Sequence, residues 1–355
     1  MRLETSAAPR RVPVLGLLIC ALHLGALQAC GPRAEPHELE GVAFGTTWSV
    51  RIDGSLAPGR LEDARRAVQS RLEQVDRLMS TFDSTSELTR FNRHAGTGPV
   101  AVHPDLIEVL ARARRVSERS GGAFDPTVAP LVDAWGFGPP LVVPRAPGED
   151  VIASLLERVG WERIAIDTLA HTVAKTHPLA ALDLSGIAKG WAAERVAAGL
   201  AALGIEHALV EVGGELQALG TRGDGRPWRI GIERPDGEPG LWGTIDLTDA
   251  GLATSGDYRN WFEDGGATYA HIIDPRTGRA VPRRRLSVTV VHPDASIADA
   301  WATALLVLGP EEGDEVARRE GVAALFLHAT DAGIEARLTP ALERGFVTSP
   351  VSSAP

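Results

Sequence analysis

Both cysteines of this chain, Cys20 and Cys30, fall within its first thirty residues. Everything after them must therefore hold together by burial alone, without a disulfide inside the fold. A Cys nucleophile, a thiolate zinc site and an iron–sulfur cluster are excluded for the same reason. The segment that carries the cysteines has a layout of its own. Arg2, Arg10 and Arg11 give a positive start, and an apolar run from Val12 to Leu27 leads into Leu27-Gln28-Ala29-Cys30. This is the pattern of a secretory signal over residues 1–29, too short and wrongly flanked for a transmembrane helix.

The small Ala29 directly before Cys30 resembles a bacterial lipobox, which implies cleavage before Cys30 and a lipid on its sulfur. An ordinary signal peptide with a chance cysteine is the alternative. Gly31, not Asp, follows, so inner and outer membrane both stay open as the place of the anchor, on the extracytoplasmic (periplasmic) side. Loss of residues 1–29 removes Arg2, Arg10, Arg11 and Glu4 and moves the formal charge from −10 to −12. An acidic chain without a basic stripe is no candidate for nucleic-acid binding. Hydrophobic residues make up 44%, enough for one large core. The expected organisation is a tether over 30–40, a single domain over 41–346 and a flexible tail over 347–355.

Periodicity supplies the elements. Val42–Ile52 reads as a strand and Leu61–Met79 as a helix with Ala64, Val68, Leu72, Val75 and Met79 on one stripe. Ser84 with Glu87 has the spacing of a capping box that opens a short helix through Asn92. Pro104 suits a first helical position, and a helix runs from there through Arg119. The Gly/Pro-rich stretch from Gly121 to Gly148 reads as ordered loop. A helix over Val151–Val159, a hairpin of Arg163–Ile166 with Thr172–Ala174, and an amphipathic helix over Ile187–Leu203 follow. Short strands alternate with Gly-rich turns from Ala208 to Ala253. Leu286–Val291 and Val322–Leu327 are strands around a helix over Ile297–Leu308, and the chain frays from Thr348. Irregular interleaving of helices with many short strands indicates an α+β fold.

Four segments use residues in ways that a core alone does not need. Gly121–Thr127, followed by Trp135-Gly136-Phe137-Gly138-Pro139, can shape a flat slot for a ring system, or pack as a loop between helices. Asp183–Gly190 lies between a strand and a helix start, where free backbone N–H groups favour phosphates and Lys189 adds a positive charge. Its plainer reading is Ser185 as a helix cap with Asp183 facing the dipole. Thr254–Asn260 precedes Tyr269–Gly278, in which His271 stands before the tight turn Asp274-Pro275-Arg276-Thr277-Gly278. A lone histidine there is equally a core residue. Asp299 and Thr303 sit one helical turn apart on one face, a spacing that suits Mg²⁺ held by few protein oxygens, or simply packing in an early helical turn. Gly213-Gly214-Glu215 fits a bulge or a close backbone approach. Arg283–Arg285 reads as a solvated run able to steer an acidic partner.

Taken together these segments resemble the ApbE-type FAD:protein FMN transferases. The resemblance runs from Phe44-Gly45-Thr46-Thr47-Trp48 to about Gly309. It takes in Met79-Ser80-Thr81-Phe82, Ser86–Asn92, Gly122–Val128, Asp183–Gly190, Glu211–Glu215, Thr254–Asn260, His271–Gly278 and Ala298-Asp299-Ala300. It implies an α+β, ApbE-like (T-fold-like) architecture with short antiparallel strands and flanking helices. It also implies FAD as substrate, Mg²⁺ on the diphosphate, transfer of FMN to a Thr or Ser hydroxyl of a target protein, and release of AMP. By match of motif, Asp299, Thr303 and the backbone carbonyl of Gly186 hold the metal. Phe44, Phe82, Ala123, Phe124, Asp125, Asp183, Lys189 and Ile272 contact FAD. His271 activates the acceptor hydroxyl, and Asp183 is a second candidate base. The implied partner is a membrane redox subunit with a Ser/Thr-Gly-Ala-Thr-like segment. Two alternatives are an FAD pyrophosphatase that uses water as acceptor, and a lipoprotein that only carries a flavin.

Overall fold

The computed structural model describes residues 35–139, 143–258, 261–284, 286–345 and 348–350. The expected signal segment and Cys30 lie outside the described residues, as do Arg259, Asn260 and Arg285.

Eight antiparallel strands make the main sheet, in the order His37–Ala43, Thr46–Ile52, Ala208–Val212, Glu215–Leu219, Gly251–Gly256, Leu286–His292, Ala323–Thr330 and Gly333–Leu338. The stretch expected as one strand from Val42 is a hairpin. Residues 37–43, partly in the expected tether, pair with 46–52, and Phe44 (φ 54°) with Gly45 (φ 70°) makes the two-residue turn. Positive φ at both positions matches the twist of the flanking strands. Gly213 (φ 63°) and Gly214 (φ 102°) likewise form a hairpin turn, with Val212 opposite Glu215, where the sequence suggests a bulge.

Three helices, Arg60–Met79, Ala188–Ala202 and Ala295–Glu320, cover one face of the sheet and build the main core with Val210, Val288 and Val290. A second sheet of Trp228–Glu233, Leu241–Leu247 and Thr348–Pro350 covers the other face, where Trp228, Ile230, Ile245 and Leu247 meet Leu252, Leu325 and Leu327. The segment expected to fray thus has Thr348–Pro350 paired with Gly243–Ile245. A small sheet of Trp261–Asp264, Ala267–Ile273 and Ala280–Pro282 stands apart, around Leu131, Trp135, Ile152, Val159 and Ile273.

Local chemistry explains most boundaries. The helix Pro104–Arg119 begins and ends as expected, because proline suits the first turn, where its missing N–H costs nothing. The short helix Glu87–Arg93 is capped by Ser86, whose hydroxyl accepts from the Thr89 N–H at 3.0 Å, so the expected cap at Ser84 is two residues early. Asp125 caps a turn at Pro126–Val128, and a helix Ala129–Ala134 continues from it within the expected loop. Ala188–Ala202 is not amphipathic: Gly190, Trp191, Ala192, Ala193, Val196, Ala197, Gly199 and Leu200 are all buried. Packing between two helices and a sheet leaves that helix almost no solvent face, so small residues replace the polar stripe. The helix Ala295–Glu320 breaks at Gly309 (φ 79°), since Pro310 bars its predecessor from the helical region.

Two features hold the long helix in register under the site. Gly190 has no room for a Cβ, which would sit 2.3 Å from the Ala295 carbonyl oxygen. Arg112 on the neighbouring helix donates to Glu194 Oε1 (2.9 Å) and to Ser296 Oγ (2.9 Å), and Ser296 donates to Glu194 Oε2 (2.9 Å). Burial raises the Glu194 carboxyl, and Arg112 and Ser296 pull it back. Arg112 and Arg195 also lie over the Trp191 ring, at 4.9 and 4.8 Å.

Candidate active site

A cleft of about 420 Å³ opens where the start of Ala188–Ala202, the long helix, the end of Gly251–Gly256 and the strand Ala267–Ile273 converge. Of the residues selected from sequence, it gathers Ala123, Phe124, Asp125, Asp183, Gly186, Lys189, His271, Ile272, Asp299 and Thr303. Phe44 and Phe82 are not in it. They line an adjacent recess of about 150 Å³ with Val75 and Met79, which shares Ser185 and Lys189 with the cleft.

Asp299 is the most deeply held of the charged groups among them, 2% exposed. Its Oδ2 accepts from the Gly190 N–H at 3.0 Å, so the residue that lets the two helices touch also binds the carboxylate. Burial pushes the Asp299 carboxyl up, and Lys189 and that hydrogen bond pull it down. Thr303 follows one turn on, with its Oγ1 3.3 Å from Ser255 Oγ. A Cβ on Gly186 would stand 3.2 Å from Thr303 Oγ1, which places the Gly186 backbone beside the hydroxyl. The Asp299 carboxylate and the Thr303 hydroxyl, with the Gly186 carbonyl if it turns inward, could supply an all-oxygen donor set, the chemistry that suits a small hard cation. Among the described residues, no three His, Cys, Asp or Glu side chains cluster as a metal site of their own.

Asp183 and Ser185 do not divide the work as the plain reading has it. Asp183 Oδ1 accepts from the Ser185 N–H at 2.8 Å and from its hydroxyl, while the helix itself starts after Ile187 with no side-chain cap. The free amides expected at this helix start are largely spent within the fold: the Ile187 and Ala188 N–H groups donate to the Leu184 carbonyl (3.0 and 2.8 Å), and the Gly190 N–H donates to Asp299. Asp133 is a further carboxyl close by, raised to about 6 by burial and by the Asp183 charge. Asp125 is also raised to about 6, through burial, against hydrogen bonds to its Oδ1 from the Thr127 N–H (2.8 Å) and hydroxyl (2.7 Å). Its side chain shapes the loop as well as the cleft wall. His271 stands on the strand Ala267–Ile273, edge-on to Phe137 at 6.3 Å between centroids.

Glu215 was legible only as part of a glycine turn, yet it lines the cleft at 4% exposure with Oε1 2.7 Å from Lys189 Nζ. A charged residue directly after a glycine pair, heading the strand residues Leu216-Gln217-Ala218-Leu219, is the signal that marks it. Burial raises its carboxyl, and Lys189 opposes that. Ser255, inside a singled-out segment, gains a place beside Thr303 that spacing alone does not reveal.

Residues 44–326 match the profile of the ApbE family. The chain belongs to that family. The FAD:protein FMN transferase of Vibrio cholerae is 38% identical over 319 residues, covering 90% of this chain and 95% of the relative. The Escherichia coli K12 protein of the same name is 38% identical over 288 residues, 80% of this chain and 82% of its own length. The apo crystal structure of the Pseudomonas stutzeri flavinyl transferase ApbE superposes with a TM-score of 0.80 at 35% identity, over 87% of this chain and 96% of that one. The ApbE assignment agrees with the α+β architecture.

Proposed function

We propose that this ApbE-family chain is an FAD:protein FMN transferase that moves FMN from FAD onto a Ser or Thr hydroxyl of a target protein and releases AMP. The observation that carries the reading is Asp299, buried yet lining the cleft beside Thr303, in one cleft with Lys189, Asp183 and His271. Asp299, Thr303 and the Gly186 carbonyl would hold Mg²⁺, whose charge offsets that of the diphosphate and the departing AMP.

The chain's own groups supply the rest. Lys189, which lines the cleft, would meet phosphate oxygens. Phe44 and Phe82 flank a recess beside Lys189 that suits the flat flavin ring. Phe44 holds a positive φ there, a strained state for a bulky residue that the hairpin turn enforces. The acceptor hydroxyl oxygen attacks the FMN-side phosphorus, and the bond from that phosphorus to the bridging oxygen of AMP breaks. The hydroxyl proton passes to His271 or Asp183, two of the bases that line the cleft. Positioning and charge neutralisation carry most of such a transfer.

The signal at residues 1–29 and a lipid on Cys30 would place the enzyme on the extracytoplasmic face of a membrane, the side where a membrane redox subunit exposes an acceptor loop. Among the described residues no helix is long and apolar enough to cross a membrane. The test incubates the full chain with FAD, Mg²⁺ and an acceptor carrying a Ser/Thr-Gly-Ala-Thr-like segment, read by mass spectrometry with Asp299→Ala as control. A gain of one FMN on the acceptor, absent with the variant, is the expected result. Free FMN and AMP with two unmodified acceptors would make it a hydrolase, and unchanged FAD throughout would leave a flavin carrier.

A further inference from the structure

We propose that Glu215 is a positioning residue that completes the cation pocket of this site. The inference rests on the functional reading above and extends it to a residue outside the donor set of Asp299, Thr303 and Gly186.

Glu215 begins the strand Glu215–Leu219 directly after the tight turn at Gly213-Gly214. That turn is pressed against its surroundings: a Cβ on Gly213 would stand 2.8 Å from Thr46 Cγ2 and 3.0 Å from Lys189 Cδ. Glu215 therefore has little freedom to turn elsewhere. Its Oε1 is paired with Lys189 Nζ at 2.7 Å, whereas its Oε2 is buried without a hydrogen-bond partner. The side chain lines the same cleft as Asp299.

A half-satisfied carboxylate in the interior is costly, because one oxygen loses water and gains nothing in return. Glutamine or leucine would fill this volume at lower cost, so the second oxygen calls for a positively charged occupant of the cleft. A divalent cation held by a single carboxylate, a hydroxyl and a carbonyl keeps much of its hydration shell. Glu215, which lines the cleft, would turn Oε2 toward that shell when the cation binds, and Oε1 would at the same time keep the Lys189 ammonium beside the phosphates. One side chain thereby sets both positive charges of the site.

The experiment titrates Mg²⁺ calorimetrically into the full-length chain saturated with FAD, in the absence of any acceptor. Glu215→Gln keeps the shape and an oxygen for Lys189 but puts an amide donor where a carboxylate oxygen stood. Its Mg²⁺ affinity is expected to fall roughly 10–100-fold, the usual cost of losing a group that supports a metal through its ligands. Its melting temperature in EDTA should not fall. Glu215→Asp, which restores the charge, should recover at least half of the lost affinity on a logarithmic scale. Glu215→Gln binding Mg²⁺ like the unmodified chain, while Asp299→Ala does not, overturns the proposal and leaves the transferase reading intact. So does a Glu215→Asp variant no better than Glu215→Gln. An unmodified chain that shows no saturable Mg²⁺ binding overturns both.

Discussion

The cleft has two kinds of wall. Its anionic end, around Asp299, Thr303, Gly186 and Lys189, is built on two helices that touch through Gly190 and is backed by the eight-stranded sheet. Its outer side and the recess beside it are built from turns and a detached small sheet: His271 on Ala267–Ile273 in the cleft, and in the recess Phe44 on a hairpin turn and Phe82, 60% exposed, after a helix end. The first wall has no slack, and its groups are fixed by backbone contacts. The second holds side chains on segments with fewer neighbours. Phosphate chemistry is common to every FAD molecule, whereas the acceptor varies, and a fold that makes the one end rigid leaves the other free to fit its partner.

The strongest way to break this contrast is at His271. If the outer wall supplies chemistry as well as shape, His271→Asn should cut FMN transfer about 10²–10⁴-fold, the span of a lost general base. FAD affinity should stay within about threefold, since the diphosphate contacts lie on the other wall. Single-turnover transfer with a saturating acceptor measures the first, and quenching of flavin fluorescence the second. A loss confined to FAD binding would make His271 part of the pocket wall and move the base role to Asp183.

Gly190→Ala tests the rigid end. The added methyl meets the Ala295 carbonyl and Asp299 Cβ, and helices held by the Arg112–Glu194–Ser296 network cannot part without cost. Overpacking of this kind destabilises by roughly 1–3 kcal/mol. Chemical denaturation should show it, and the stabilisation that Mg²⁺ and FAD confer together should shrink as Asp299 loses its Gly190 N–H. A neutral substitution would mean that the helix crossing yields easily and that the contrast between the walls is weaker than the packing indicates.

The same contrast governs how much could be read from sequence. Pro104 fixed a helix start because its ring chemistry is local, and Asp299 with Thr303 stood out because a helical turn is a local ruler. Phe44 looked like part of one long strand, since the φ of a turn residue is set by the pairing of residues 37–43 with 46–52. The helix Ala188–Ala202 looked amphipathic because its burial depends on the helices and strands on either side, which no window of sequence contains. Glu215 stayed hidden for that reason too: its meaning lies in Lys189 and in an unpaired oxygen, both visible only across the fold. FAD contacts named by family resemblance separated in space, with six residues around the cleft and Phe44 and Phe82 in the recess beside it.

Between the two walls lies the loop that carries Asp125, and its titration sharpens the boundary. Burial raises this carboxyl from 3.8 to about 6, so the folded state binds a proton more tightly than the unfolded one does. Its contribution to stability is fully present below pH 3.8 and is lost as pH rises through 6. The gap is worth up to about 3 kcal/mol. Asp125→Asn keeps an oxygen for Thr127 and removes the titration. The variant should match the unmodified chain near pH 4 and exceed its stability by roughly 1–3 kcal/mol at pH 7.5, as followed by urea denaturation at both values. A difference independent of pH would show that water reaches Asp125 and that this loop belongs with the open wall.

The smallest expected effect falls on the most exposed group. Phe82 is 60% exposed, so truncation removes little buried area and Phe82→Ala should change folding stability by less than about 0.5 kcal/mol. A ring that stacks on flavin, however, contributes about 1–1.5 kcal/mol to binding, or near tenfold. The KM for FAD should therefore rise about tenfold while kcat changes little, because the proposed metal and phosphate groups, Asp299 and Thr303, line the cleft and not this recess. Steady-state transfer over a range of FAD concentrations separates the two constants. An unchanged KM would remove Phe82 from the flavin recess. A fall in kcat instead would mean that ring stacking positions the phosphorus, and that the two walls of the cleft act as one.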